Sequence, residues 1–268
     1  VKQKPLHLFC LIVFLIGGNA RDAFSFVLSN NSSEDPIQID SDQGIVCSQE
    51  GNKCTAYGNV VAEQGDFVLK ADTLTAFIEK EGDKSKLSRI EATGHVYCFS
   101  KTELRRAFAD FASYDLAQGE LTLEGGALKV QFKELEITAK KSLKYNDKTK
   151  ILSAVGDAVA KEKDRVLMAD ELIGYLKEGP DQKLEVDKIK AFNNVKVSTP
   201  EELAQGREGT YDRTKQRATL KGNVRIDRKE GQLKGEFAEI NLEKGVGKIT
   251  HSHGRVRALL LAKSKRND

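Results

Sequence analysis

Apolar and polar residues alternate along most of this chain. Val60 and Ala62, Phe67 and Leu69, Leu128 with Val130 and Phe132, Val195 and Val197, and Val224 and Ile226 each stand two positions apart. A period of two sends successive side chains to opposite faces of an extended backbone, so these stretches read as strands with one face buried. Only four prolines interrupt the 268 residues, which leaves room for long strands. The stretch from Lys101 to Leu116 carries helix-forming residues, yet it keeps step with the strand pairs elsewhere and is read as strand. The expected fold class is all-β.

An internal repeat organises the alternation. A unit of the form small-x-Gly-Asn-Val appears at Ala56–Val60, Ala92–Val96, Leu123–Ala127, Ala154–Ala158, Ala191–Val195 and Leu220–Val224. Its copies recur at intervals of roughly 30 to 37 residues, within the range of repeat architectures. A second signature follows in each copy: Leu69-Lys70-Ala71-Asp72, Phe108-Ala109-Asp110, Ile137-Thr138-Ala139-Lys140, Leu167-Met168-Ala169-Asp170, Leu203-Ala204-Gln205-Gly206 and Leu233-Lys234-Gly235-Glu236. Each Gly-Asn or Gly-Asp step marks a turn or a kink in a strand, because glycine tolerates positive φ and Asn and Asp bond their own backbone. About six two-strand repeats predict an elongated two-sheet sandwich or jelly roll over residues 36–250, with open strand edges at both ends. Such edges recruit further strands, which suggests head-to-tail pairing of the chain with itself or with similar partners.

The two ends read differently from this body. Lys2 and Lys4 precede an apolar run from Leu6 to Ile16, followed by Gly17-Gly18-Asn19-Ala20. That order predicts a cleaved signal peptide over residues 1–20, since the run is short of the ~20 residues of a bilayer span. Residues 21–35 read as a polar linker. Residues 251–268 read as a basic tail, in which Ala258-Leu259-Leu260-Leu261 is either a short helix or part of a solvated end. Export makes Cys47 and Cys54 a disulfide candidate, because they bracket a turn-like segment and disulfides persist outside the cytosol. Cys98, on an apolar stretch, reads as a small core residue. Lys and Arg total 43 against 40 Asp and Glu, a net charge of +3. That lacks the basic excess with which nucleic-acid binders displace phosphate counterions, so no nucleic-acid partner is expected.

Catalytic groups are sparse. His7 lies in the leader, His95 in a repeat turn, and His251 and His253 near the C-terminus, where they share one strand face but lack a nearby Cys, Asp or Glu to complete a metal site. No nucleophile elbow, phosphate loop or zinc-protease helix is present. Asp72, Asp110 and Asp170 recur at one place of the second signature, which fits a shared backbone role better than catalysis. No enzymatic activity, cofactor or metal is expected. The interior remains. The period of two assigns its lining to Val60, Phe67, Leu69, Val96, Leu128, Val130, Phe132, Ile137, Met168, Val195, Val197, Val224, Ile226 and Phe237, with Phe132 inward and Lys133 outward. A sandwich that does not fully close leaves an apolar groove, where each CH₂ of an acyl chain gains about 0.8 kcal/mol.

The Gly-Asn-Val and Leu-x-Ala-Asp signatures, together with PIQIDSDQGIV at 36–46 and GNVVAEQGDFVLKADTLTAF at 58–77, make the chain resemble the OstA-like family from Pro36 to Lys248. The resemblance implies an elongated, twisted antiparallel β-jellyroll, open along one side, that carries lipopolysaccharide with its lipid A part inside. It further implies a periplasmic bridge of jellyrolls joined end to end, between inner-membrane and outer-membrane transport proteins of the same fold, with energy supplied by an ATPase elsewhere. Two other readings stay open: a non-catalytic envelope docking scaffold, and an inner-membrane-anchored member of the same pathway. The third copy departs with Gly125-Gly126, and the fifth with Asn193 for Gly and Gln205-Gly206 for Ala-Asp. Less regular later strands are expected from these departures.

Overall fold

A computed structural model describes residues 37–260 other than 49, 51, 82–83, 103–104, 179–183 and 245. The predicted signal peptide and linker lie outside the described residues. Two short strands open the chain, β1 (Gln38–Asp40) and β2 (Ile45–Ser48). Four long ones follow: β3 (Lys53–Gln64), β4 (Phe67–Glu81), β5 (Lys84–Ser100) and β6 (Arg105–Asp115). Next come the short β7 (Glu120–Glu124), β8 (Leu128–Phe132), β9 (Leu135–Ala139) and β10 (Ser142–Asn146). A second long series holds β11 (Ile151–Glu162), β12 (Arg165–Glu178), β13 (Leu184–Ser198), β14 (Glu202–Asp212), β15 (Arg217–Arg228) and β16 (Gly231–Asn241). The last pair is β17 (Val246–Thr250) and β18 (Arg257–Leu260).

Every pairing among the described residues is antiparallel and joins near neighbours in the chain. The register divides the strands between two sheets, because each long strand bends near its middle and its halves pair separately. The first half of β3, Lys53–Tyr57, meets Thr73–Phe77 of β4, whereas Val60–Gln64 meets Phe67–Ala71. A first sheet thus runs from β2 through alternating halves of β3–β6, through β7 and β10, and through halves of β11–β16 to β17. A second sheet runs from β1 through the complementary halves, with β8 and β9 at its centre, to β18. The backbone passes between the sheets only along the line of bends. The opposite side is bounded by hairpin turns, so the chain is an all-β, twisted antiparallel jellyroll with one side open.

The repeat explains the bends. Gly58-Asn59, Gly94-His95, Gly156-Asp157, Asn193-Asn194 and Gly222-Asn223 each place two consecutive residues in the left-handed region. Glycine enters that region freely, and Asn, Asp and His enter it more readily than other residues. The fifth copy therefore accepts Asn193 in place of glycine and β13 runs on unbroken. Gly94 illustrates the stricter case: φ is +78° and a Cβ there would lie 2.1 Å from Asp72 Oδ2. The aspartates of the second signature hold these bends. Asp72 Oδ2 lies 2.8 Å from His95 Nδ1, Asp110 accepts the Gly126 N–H at 2.7 Å, and Asp170 accepts from Asn194 Nδ2 at 2.9 Å. In the fourth copy the charges are exchanged, with Lys140 donating to Asp157 at 2.8 Å.

Three expectations need correction. Irregularity falls in the middle of the chain rather than later, where Gly125-Gly126-Ala127 and Lys140-Lys141 break two strands into β7–β8 and β9–β10. The supposed tail is not outside the fold, because Arg257–Leu260 pairs with Gly231–Lys234 and completes the second sheet. His251 and His253 lie between β17 and β18 rather than on a strand face.

Candidate functional site

The interior between the sheets is the candidate site. Deeply buried residues flank the bends in pairs: Ala56 with Val60, Ala92 with Val96, Ala154 with Ala158, Ala191 with Val195, and Leu220 with Val224. Small side chains suit a line where two sheets diverge from one backbone, since little space separates them there. Away from the bends the inward residues become larger, and while some, such as Phe132, Tyr145 and Ile240, are buried, others are only half-buried, among them Phe67, Leu69, Ile90, Leu121, Leu135, Leu152 and Ile189. The interior is thus packed at the bend and partly solvated at the open side.

Three small apolar cavities lie between the walls. One of about 70 Å³ is lined by Ile39, Phe67, Leu69, Leu74 and Ile90, and one of about 40 Å³ by Cys98, Ala112, Tyr114 and Leu123. The third, about 30 Å³, lies among Leu167, Ile189, Val197, Tyr211 and Leu220. Each has the volume of one or two water molecules, so none of these three holds an acyl chain as it stands. Charged groups line the inner rim of the second sheet. Arg228 Nε donates to Glu202 Oε2 at 2.6 Å, and the Arg105 guanidinium lies 5.6 Å from the centre of the Phe132 ring. Burial pushes the Glu202 carboxyl above its usual value and the Arg228 pair opposes this. An apolar trough with an ionic rim has the polarity profile of an amphiphile.

Of the residues assigned to the lining from sequence, Val60, Val96, Leu128, Phe132, Ile137, Val195, Val197, Val224 and Ile226 are buried and face inward. Phe67, Leu69 and Val130 pack against them, half-buried. Met168 and Phe237 are placed differently. Met168 is 42% exposed on the outer face, between the buried Leu167 and Ala169. It occupies the variable position of Leu-x-Ala-Asp, and that motif points its Leu and Ala inward. Phe237 lies beyond the bend of β16, where the inward phase shifts from Leu233 to Ala238 and Ile240. Two inward residues spaced three apart across a bend reverse the faces, as any one-residue slip does.

The sequence-assigned lining belongs almost wholly to the second sheet. The facing wall, with Leu74, Ile90, Leu123, Leu143, Leu172 and Ile240, was missed. A signal for it existed: the residue two before each Gly, such as Ala56, Ala92 and Ala191, faces inward on the first sheet. Cys98 is buried, and burial pushes its thiol up to about 12, which leaves it protonated at neutral pH. Cys47 and Cys54 are joined across the β2–β3 hairpin with Cα atoms 4.0 Å apart. Among the described residues no group of three or more His, Cys, Asp and Glu is placed to hold a metal ion.

A family model described as LptA/(LptD N-terminal domain) LPS transport protein matches residues 38–141 and again residues 136–246. The chain belongs to this family. The two LptA/LptD N-terminal domain matches follow one another along the jellyroll and meet at β9–β10, where the strands are broken. The irregular centre is therefore the seam between two domain lengths. The crystal structure of LptH, the LptA homologous periplasmic component of the conserved lipopolysaccharide transport device from Pseudomonas aeruginosa, is similar at 13% identity, covering 85% of this chain and 97% of that one with a TM-score of 0.22. No curated protein matches in sequence.

Proposed function

We propose that this LptA/LptD N-terminal domain protein is a periplasmic carrier of lipopolysaccharide that binds the acyl chains of lipid A between its sheets and catalyses no reaction. The half-solvated apolar side chains along the open side carry this reading, because they are the surface that gains most from a hydrocarbon chain. The line of bends acts as the fixed hinge and the open side as the mouth. The charged inner rim suits the polar part of the amphiphile.

The terminal strands support assembly end to end into a bridge from inner to outer membrane, with transport proteins of the same fold at its ends. β1 and β2 pair only with β3, and β17 and β18 only with β16, so both ends offer unpaired strand edges among the described residues. Large exposed apolar residues gather there, with Ile45 and Val46 at one end and Val246, Leu259 and Leu260 at the other. Native proteins normally blunt such edges, and leaving them apolar favours strand addition.

The test is photo-crosslinking in cells from Phe132, buried at the inner rim, and from Lys133, exposed in the adjoining turn. Lipopolysaccharide adducts from Phe132 alone are expected. Equal capture at both sites, or none from a folded protein, defeats the carrier reading and favours a docking scaffold.

A further inference from the structure

The outer face of the second sheet carries a feature the groove does not use. Cross-strand register aligns one residue per strand into a single row across that face. From Lys70 on β4 to Arg257 on β18 the row includes Lys129, Lys196, Arg225 and Lys234 and no acidic residue, and beyond Lys70 it runs through Val61 to Asp40 on β1. At a strand spacing of ~4.8 Å it is roughly 50 Å long. Arg225, Lys234 and Arg257 stand directly opposite one another on consecutive strands. Like charges so placed repel and weaken a sheet. Arg225 and Lys129 each have a carboxylate at 2.7 Å, Asp227 and Glu136 respectively, while Lys196, Lys234 and Arg257 form no ion pair among the described residues.

Apolar and aromatic side chains fill the row between the cations. Tyr97 and Phe108 stack with centroids 4.8 Å apart, and Val159 and Met168 lie opposite each other farther along. At that point the outer face holds a cavity of about 650 Å³, lined by Lys129, Thr138, Val159, Met168 and Lys196 of the row and, along the bend, by Asp170 and the paired Lys140 and Asp157. Carboxylates flank the row on both sides: Asp72, Asp110 and Asp170 along the bends, and Glu63, Glu136 and Asp227 one position outward. A broad anionic surface laid on this face meets those carboxylates. A narrow anionic chain lying along the row does not.

We propose that the row binds a linear acidic polysaccharide, with its carboxylates or phosphates on the lysines and arginines and its sugar faces against Tyr97, Phe108 and Met168. The C–H groups of a sugar face carry partial positive charge and complement the negative face of an aromatic ring. The site is independent of the groove and of what the groove carries.

The test uses polygalacturonate as probe, with neutral dextran and phosphatidylglycerol vesicles alongside. Two variants of equal charge change are compared, Lys196→Glu/Lys234→Glu on the row and Lys188→Glu/Lys248→Glu on the outer face of the first sheet. The wild type is expected to bind polygalacturonate in a salt-sensitive way and to ignore dextran. The row variant loses about tenfold or more in affinity, whereas the other variant changes by about twofold or less. Equal losses in both variants, or binding to the vesicles without binding to polygalacturonate, overturn the proposal. Lipopolysaccharide adducts from Phe132 persist in the row variant, and their loss would overturn its independence from the groove.

Discussion

The line of bends and the open side are made from the same strands, yet they obey different packing rules. At the bend, Val60, Ala158 and Val195 are wholly enclosed, and bulge and carboxylate together fix the backbone. At the open side, Phe67, Leu69, Ile90 and Ile189 keep partial contact with water and leave small gaps. The contrast teaches where the molecule can yield. A close-packed line transmits strain and resists rearrangement, while half-buried side chains with few neighbours change rotamer at small cost. Any widening of the gap between the sheets is therefore expected as a hinge motion about the bends.

Truncation separates the two regions most strongly. Leu220→Ala, beside the bend of β15, is expected to cost about 2–5 kcal/mol by urea unfolding. Leu69→Ala at the mouth is expected to cost about 1 kcal/mol, in proportion to its smaller burial. Equal costs would erase the distinction. A backbone change sharpens it. Gly94→Ala forces a Cβ against Asp72 and a left-handed alanine, and is expected to lower stability by about 1–3 kcal/mol in thermal melts. Gly174→Ala, away from any bend, has its nearest neighbour at 3.9 Å and is expected to change stability by about 0.5 kcal/mol or less.

Acid provides the smallest effect, and it acts at the mouth. Burial raises the Asp66 carboxyl, but hydrogen bonds from Ser100 and Thr102 outweigh it and hold the group below its ordinary value. Asp187 is lowered by hydrogen bonds from Lys177 at 2.6 Å and Thr214 at 2.8 Å. A carboxylate with a lowered folded value contributes stability above its unfolded value of about 3.9, and loses it as pH falls through the folded value. The melting temperature of the wild type should therefore fall below about pH 4 more steeply than that of Asp66→Asn/Asp187→Asn.

Much of this was legible in the residues. The Gly-Asn steps marked the bends, because few residue types occupy two consecutive left-handed positions. The alternation around Leu128, Val130 and Phe132 marked one wall, because strands on that side keep an unbroken period of two. The other wall was harder to read. Among its inward residues Ala, Tyr and Gly alternate with Leu and Ile, which weakens the contrast with polar neighbours, and the shift of phase at each bend sent the prediction at Phe237 to the wrong face. Met168 failed for a different reason: two adjacent apolar residues fit either phase, and only the motif around Ala169 decides between them. The strand at Arg257–Leu260 could not be read from local composition, because its extended form is imposed by the free edge of β16.

The pairing of each strand with its near neighbours has a consequence for how such a chain changes over generations. Loss or duplication of one hairpin unit removes or adds two rungs in each sheet and leaves the contacts of the remaining units as they were, as in other solenoid-like proteins. Length is then a heritable quantity that varies in steps of about 10 Å, so a lineage could lengthen or shorten the molecule without rebuilding its core.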